Sequence, residues 1–264
     1  MTVKHYPQIV LFGDSLFQGT AEIQQGFSFQ GALQHHCIRR YDVVNRGFGG
    51  YTTTHALAFL PQIFAPASES VPKIEYFFVL LGANDAVLDV PWATQHVPLD
   101  KYKENLRKIV THPIITSHNP KIFIVTPPPL DEIHTTRRSH EQGDPGPHRD
   151  ARVSEAYSSA AREVAKEVGV GLVDLYQGLM DKAVELTPGF ETGGPRLGTP
   201  DCGKQGGLEA LLYDGLHMSG EGYRVFYELV KPLVGGDWAD APEEERKGYL
   251  FPYWKNIDMA KLEG

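Results

Sequence analysis

IVLFGDSLFQGT, Ile9 to Thr20, sets four apolar residues against a glycine and then a polar turn. So short an apolar run, stopped at Gly13, reads as a buried strand, and it places Ser15 on the turn that leaves the strand's carboxyl end. Strands apolar on both faces belong to parallel sheets, where helices cover either side. In open α/β sheets, ligands bind outside the carboxyl ends of the strands. This one stretch therefore predicts both a layered α/β architecture and the edge of the sheet where chemistry is to be sought.

Working outward, four further runs have the same character: Asp42 to Asn45, Ile74 to Leu81, Lys121 to Thr126 and Gly171 to Leu175. Helical patterns lie between them. Ala151 to Val168 is rich in good helix formers and stops at Gly169, and after Ser219 the spacing of Tyr223, Phe226, Val230 and Leu233 gives one apolar face. Repeated βα units of this kind predict a three-layer α/β/α fold around a five-stranded parallel sheet. A chain of 264 residues is expected to form one domain, 1–264, with 236–264 as a C-terminal extension. The aromatics of that extension, Tyr249, Phe251, Tyr253 and Trp254, are expected to pack on the body. The stretches 131–150 and 187–207 are rich in Gly and Pro and read as loops, either lids or tolerated insertions.

A net charge of -8 argues against nucleic acid as a partner, because phosphate binding needs a basic stripe. Two cysteines, Cys37 and Cys202, assemble neither a disulfide framework nor a thiolate zinc site. His134, His140 and His148 lack metal-ligand spacing and read as solvated, so no metal is expected. In the GFGG stretch, Thr52 stands where a dinucleotide fingerprint needs its third glycine. The apolar run at the N-terminus is too short for a signal peptide or a membrane span. The expectations are thus no stable membrane insertion and a cytoplasmic location.

A serine hydroxyl becomes a useful nucleophile only when a base takes its proton, and the base needs an orienting acid. YDGLH, Tyr213 to His217, offers both, with Asp214 and His217 three residues apart. Acyl transfer also needs donors for the oxyanion. NRGFGGYTT offers the backbone amide of Gly50, LLGANDA offers the side-chain amide of Asn84, and the Ser15 amide makes a third. Taken singly, each has a plainer reading: GDS as a helix cap, Asp214 as a turn former, Gly50 as a backbone requirement and Asn84 as a strand-end cap. Together they make Ser15, Asp214 and His217 the candidate triad, with Asp14 and Asp85 read as structural. A histidine base must be neutral, so activity is expected to fall on acidification.

These four blocks, in this order, resemble those of the GDSL esterases, also called SGNH hydrolases, and span Gly13 to His217. NRGFGGY, the TPPP of Thr126 to Pro129 and the LFPYWK of Leu250 to Lys255 narrow the likeness to the isoamyl acetate-hydrolysing esterases. Related enzymes often have serine where this chain has Gly49. The resemblance implies a flavodoxin-like strand order 2-1-3-4-5, no metal or organic cofactor, and a small ester as substrate. Bulky Leu16, Phe17, Phe48 and Tyr51 beside the candidate positions suggest a small acyl pocket and a preference for acetyl esters. The alternatives are a carbohydrate acetyl esterase, a lysophospholipase-type hydrolase, and an inactive ligand-binding member of the fold.

Overall fold

The computed structural model describes residues 4–258 apart from 237, 240, 243 and 244. Five strands, β1 (Gln8–Gly13), β2 (Asp42–Gly47), β3 (Ile74–Leu80), β4 (Lys121–Val125) and β5 (Gly171–Val173), form one sheet. All neighbours are parallel and the order is β2-β1-β3-β4-β5. The first half of the chain adds α1 (Ser15–Gln18), α2 (Phe29–His36), α3 (Thr53–Ile63), α4 (Leu99–Val110) and α5 (Pro113–Thr116). The second half adds α6 (Glu132–Gln142), α7 (Ala151–Val168), α8 (Leu175–Glu185), α9 (Leu208–Leu211) and α10 (Gly220–Val230).

Alternation along the strands sorts the core into two halves, because successive side chains point to opposite faces. Ile9 and Leu11 of β1 and Phe78 and Leu80 of β3 pack with Phe29 and Leu33 of α2, Leu179 of α8 and Phe226 of α10. Val10, Phe12, Phe77 and Val79 face the other way, onto Leu60 of α3, Leu106 of α4 and Val164 of α7. Fully burying an aliphatic or aromatic side chain is worth roughly 1.5–3 kcal/mol, so this two-sided burial holds the three layers together.

Several boundaries differ from the sequence reading. The fifth strand stops at Val173, because the Asp174 side chain accepts from Gln177 N and starts α8 at Leu175. More consequential is 131–150, read above as a loop. Asp131 accepts from His134 N and opens α6, which ends at Gly143 in the left-handed conformation. That helix is strongly polar, and its few apolar residues hid the periodicity.

Among the described residues no helix is long and apolar enough to cross a membrane. From the C-terminal stretch, Phe251 meets Tyr6 edge-on at 5.8 Å and Arg39 lies over the Tyr249 ring at 4.6 Å, while Trp254 is 67% exposed. Within the expected extension, residues 237, 240, 243–244 and 259–264 lie outside the described residues.

Candidate active site

Register decides where the site forms. Gly13 at the end of β1 pairs with Gly47 of β2 and Leu80 of β3, so three loops leave the sheet side by side. They carry Ser15, Phe48 to Tyr51, and Asn84. The place is the switch point of the strand order, where neighbouring connections diverge and leave a crevice. Gly47 cannot carry a side chain here, since a Cβ would meet Gln18 N at 2.0 Å.

Ser15 is the first residue of α1, and Asp14 caps that turn by accepting from Leu16 N at 2.9 Å. Ser15 Oγ lies 2.9 Å from His217 Nε2, across 202 residues of sequence. His217 Nδ1 is 2.8 Å from Asp214 Oδ2. The other oxygen of Asp214 accepts from His217 N at 2.7 Å and Leu216 N at 3.0 Å, so the carboxylate is locked to its own turn. Burial works against the Asp214 charge, but these hydrogen bonds outweigh it and hold the carboxyl well below the usual carboxylate range. The His217 side chain is 31% exposed and that of Asp214 14%, which leaves the imidazole open to a substrate and the acid behind it.

The loop after β2 is tied to both neighbours. Gln18 Oε1 accepts from Gly49 N at 2.7 Å, Asn84 Nδ2 donates to Tyr51 O at 2.9 Å, and Gln95 Nε2 donates to Gly50 O at 2.8 Å. Gly50 has φ +79°, a conformation that glycine adopts without strain. Its amide makes no hydrogen bond among the described residues. Asp85 accepts from Thr53 N at 3.0 Å and from Thr53 Oγ1, anchoring the start of α3, and burial raises its carboxyl to about 6. Asp14 and Asp85 thus hold the two loops in place, in keeping with a structural role.

Asp14 is fully buried, and its Oδ2 has no hydrogen-bond partner. Burial lifts its carboxyl from 3.8 to about 7, against the backbone bond from Leu16. A carboxyl raised on folding gives stability that is complete below its unfolded value and is lost as pH rises through the folded one. Asp14→Asn can keep the Leu16 acceptor while removing the ionisation. It is expected to raise the unfolding free energy at pH 8 by up to about 4 kcal/mol, at roughly 1.4 kcal/mol per unit, and with it the thermal midpoint, and to leave both nearly unchanged at pH 4. Calorimetry at the two pH values checks this, and an equal change at both would assign the effect to packing.

The segment read as a loop supplies the groups that sequence reasoning missed. Arg138 of α6 pairs with Asp214 Oδ2 at 2.7 Å. Arg149, just before α7, donates to Ala83 O at 2.5 Å, beside Asn84. His148, expected to be solvated, is partly buried instead, with Nδ1 3.1 Å from the buried Ser139 Oγ. His134 is partly buried too, its Nδ1 without a hydrogen-bond partner, whereas His140 is exposed. The Asp131 cap and the Gly143 stop were available as helix signals. No comparable signal marks Arg138 or Arg149.

Two cavities flank His217. One, of about 200 Å³, is lined by Ser15, Gln18, Glu22, Tyr213 and Tyr223. The other, of about 160 Å³, lies against Arg138, His148, Arg149 and Asp214. Neither is lined by 187–207. That segment borders cavities of about 230 and 480 Å³ against Tyr176 and Met180, away from Ser15 and His217. It also braces α6, with Gln205 Nε2 donating to Asp131 Oδ2 at 2.6 Å. The segment that flanks His217 is therefore 131–150. Leu16 and Phe17 are fully buried in the core and do not reach the crevice, leaving Phe48 and Tyr51, stacked at 4.9 Å, as the bulk near Gly50.

Residues 11–225 match the family described as GDSL-like Lipase/Acylhydrolase. An isoamyl acetate-hydrolyzing esterase 1 homolog of Mus musculus is 31% identical over 98% of this chain and 91% of its own length. The isoamyl acetate-hydrolyzing esterase of Saccharomyces cerevisiae is 32% identical over 86% of each chain. A GDSL esterase/lipase of Arabidopsis thaliana is 34% identical over 96% of this chain and 94% of its own. Among solved structures, an acetyl xylan esterase superposes with a TM-score of 0.61 at 17% identity, over 86% of this chain and all (100%) of that one. That likeness bears on the fold, and it agrees with the strand order found here. With the family match spanning all four sequence blocks and the relatives aligned nearly end to end, the chain belongs to the GDSL-like lipase/acylhydrolase family and is a carboxylic ester hydrolase.

Proposed function

We propose that the chain hydrolyses short-chain, acetyl-type esters through a Ser15–His217–Asp214 triad and an acyl-enzyme. The observation that carries this reading is the continuous hydrogen-bonded line from Ser15 Oγ through both ring nitrogens of His217 to Asp214. His217 Nε2 takes the Ser15 proton as Oγ attacks the ester carbonyl, and Asp214 holds Nδ1 protonated so that Nε2 is the basic nitrogen. Negative charge then grows on the carbonyl oxygen. The amides of Ser15 and Gly50 and Nδ2 of Asn84 are the donors assigned to it; the hydrogen bonds from Asn84 and Gln95 to this loop support a preorganised arrangement. His217 next gives its proton to the leaving alkoxide. A water molecule, deprotonated by the same nitrogen, releases the acid and restores Ser15.

Short acyl groups are favoured by the stacked Phe48 and Tyr51 beside Gly50, and by relatives named for isoamyl acetate hydrolysis. The test is one experiment on 4-nitrophenyl esters from acetate to decanoate, run before and after a stoichiometric fluorophosphonate, with the adduct mapped by peptide mass. Expected are a kcat/KM that falls as the acyl chain lengthens, complete inhibition, and an adduct on Ser15. An open apolar groove would instead add roughly 1 kcal/mol per methylene and raise kcat/KM severalfold per carbon. An adduct elsewhere would remove Ser15 from the mechanism.

A further inference from the structure

The 160 Å³ cavity beside His217 contains a cation for which hydrolysis of a neutral ester has no use. Arg149 offers five N–H donors, and among the described residues its side chain makes one hydrogen bond, to Ala83 O. Among the described residues it has no ion-pair partner. Burial disfavours its charge, lowering its pKa to about 10, while Asp14 and Asp214 act in the opposite sense from a distance. A partly buried guanidinium ordinarily meets a carboxylate directly, because desolvating an unpaired charge is costly. Asp14 does not fill that place, since its free oxygen is without a hydrogen-bond partner.

The other charges around the cavity are already matched. Arg138 pairs with Asp214 at 2.7 Å. His148 is held toward its neutral form by burial and by Arg149, and Asp144 lies 3.6 Å from its Nδ1 without lining the cavity. One unmatched positive charge therefore faces the space next to the catalytic imidazole. A single negative charge complements it, and the planar fork of a guanidinium fits the two oxygens of a carboxylate.

We propose that Arg149 makes this cavity a subsite for a carboxylate carried by the ester substrate, so that the preferred substrates are anionic esters. This rests on the esterase reading of the same site. The carboxylate is carried either on the acyl part or on the alcohol part of the ester, and matched pairs separate the two. Methyl pentanoate against monomethyl glutarate tests the acyl side; butyl acetate against 4-acetoxybutanoate tests the alcohol side. In each pair a terminal methyl is replaced by a carboxylate.

Hydrolysis followed by pH-stat is expected to show a kcat/KM at least tenfold higher for the charged member of one pair. Arg149→Gln is expected to abolish that ratio and Arg149→Lys to keep part of it. A purely structural Arg149 would lower both members alike and leave the ratio unchanged. The subsite is overturned by the absence of a preference in both pairs, or by a preference that survives in Arg149→Gln. Glutarate binding to the wild-type protein, read by calorimetry against Arg149→Gln, is the second measurement. If none of the four esters is cleaved, the esterase reading fails, and glutarate binding then decides the subsite alone. If Arg149→Gln does not fold, competitive inhibition of wild-type butyl acetate hydrolysis by glutarate, absent with equal ionic strength of chloride, supports the subsite, and its absence overturns it.

Discussion

Ser15→Ala is expected to lower kcat for 4-nitrophenyl acetate by roughly 10⁶-fold, the size of loss seen when the nucleophile of a serine triad is removed. Among the described residues Ser15 Oγ makes a single hydrogen bond, to His217 Nε2, and its side chain is not part of the apolar core. The Asp14 cap uses the Leu16 amide rather than the serine hydroxyl. The variant should therefore fold with a thermal midpoint near that of the wild type, and KM should change little. Stopped kinetic traces and calorimetry on the same preparation check both halves. A folded Ser15→Ala protein with wild-type turnover would sink the triad.

Asp214→Asn is expected to cost roughly 10⁴-fold in kcat, for a reason of tautomer rather than of space. The carboxylate accepts at both oxygens: Oδ1 from two backbone amides, and Oδ2 facing His217 Nδ1 and Arg138. An asparagine can satisfy the backbone amides with its carbonyl, which keeps the turn. Its NH₂ then faces Nδ1, which must become an acceptor. The proton moves to Nε2, where it can no longer accept from Ser15. Kinetics with a chromogenic acetate measure the loss. Loss of the Arg138 pair adds little to stability, since that arginine side chain is 40% exposed and such pairs contribute at most about 1 kcal/mol.

Local features were readable from the chain because their partners are near in sequence. Ile9 to Phe12 is apolar at every position, and that alone marks a strand covered on both faces. Asp214 reaches His217 within one turn, so the acid and base of the candidate triad could be paired on paper. By contrast, α6 was missed because a polar helix carries almost no hydrophobic periodicity. Leu16 and Phe17 adjoin Ser15 in sequence, but adjacency does not fix orientation, and the turn of α1 sends both into the core rather than the pocket.

By itself, then, the sequence determined the layered α/β class, the turn that carries Ser15 and the local Asp214–His217 pair. Each depends on interactions a few residues long. Only the tertiary structure decided that Ser15 meets His217 across 202 residues, that 131–150 rather than 187–207 flanks the crevice, and that Arg138 and Arg149 stand beside the imidazole. Those juxtapositions follow from strand register and helix docking, where many dispersed contacts act together and no short segment encodes the outcome.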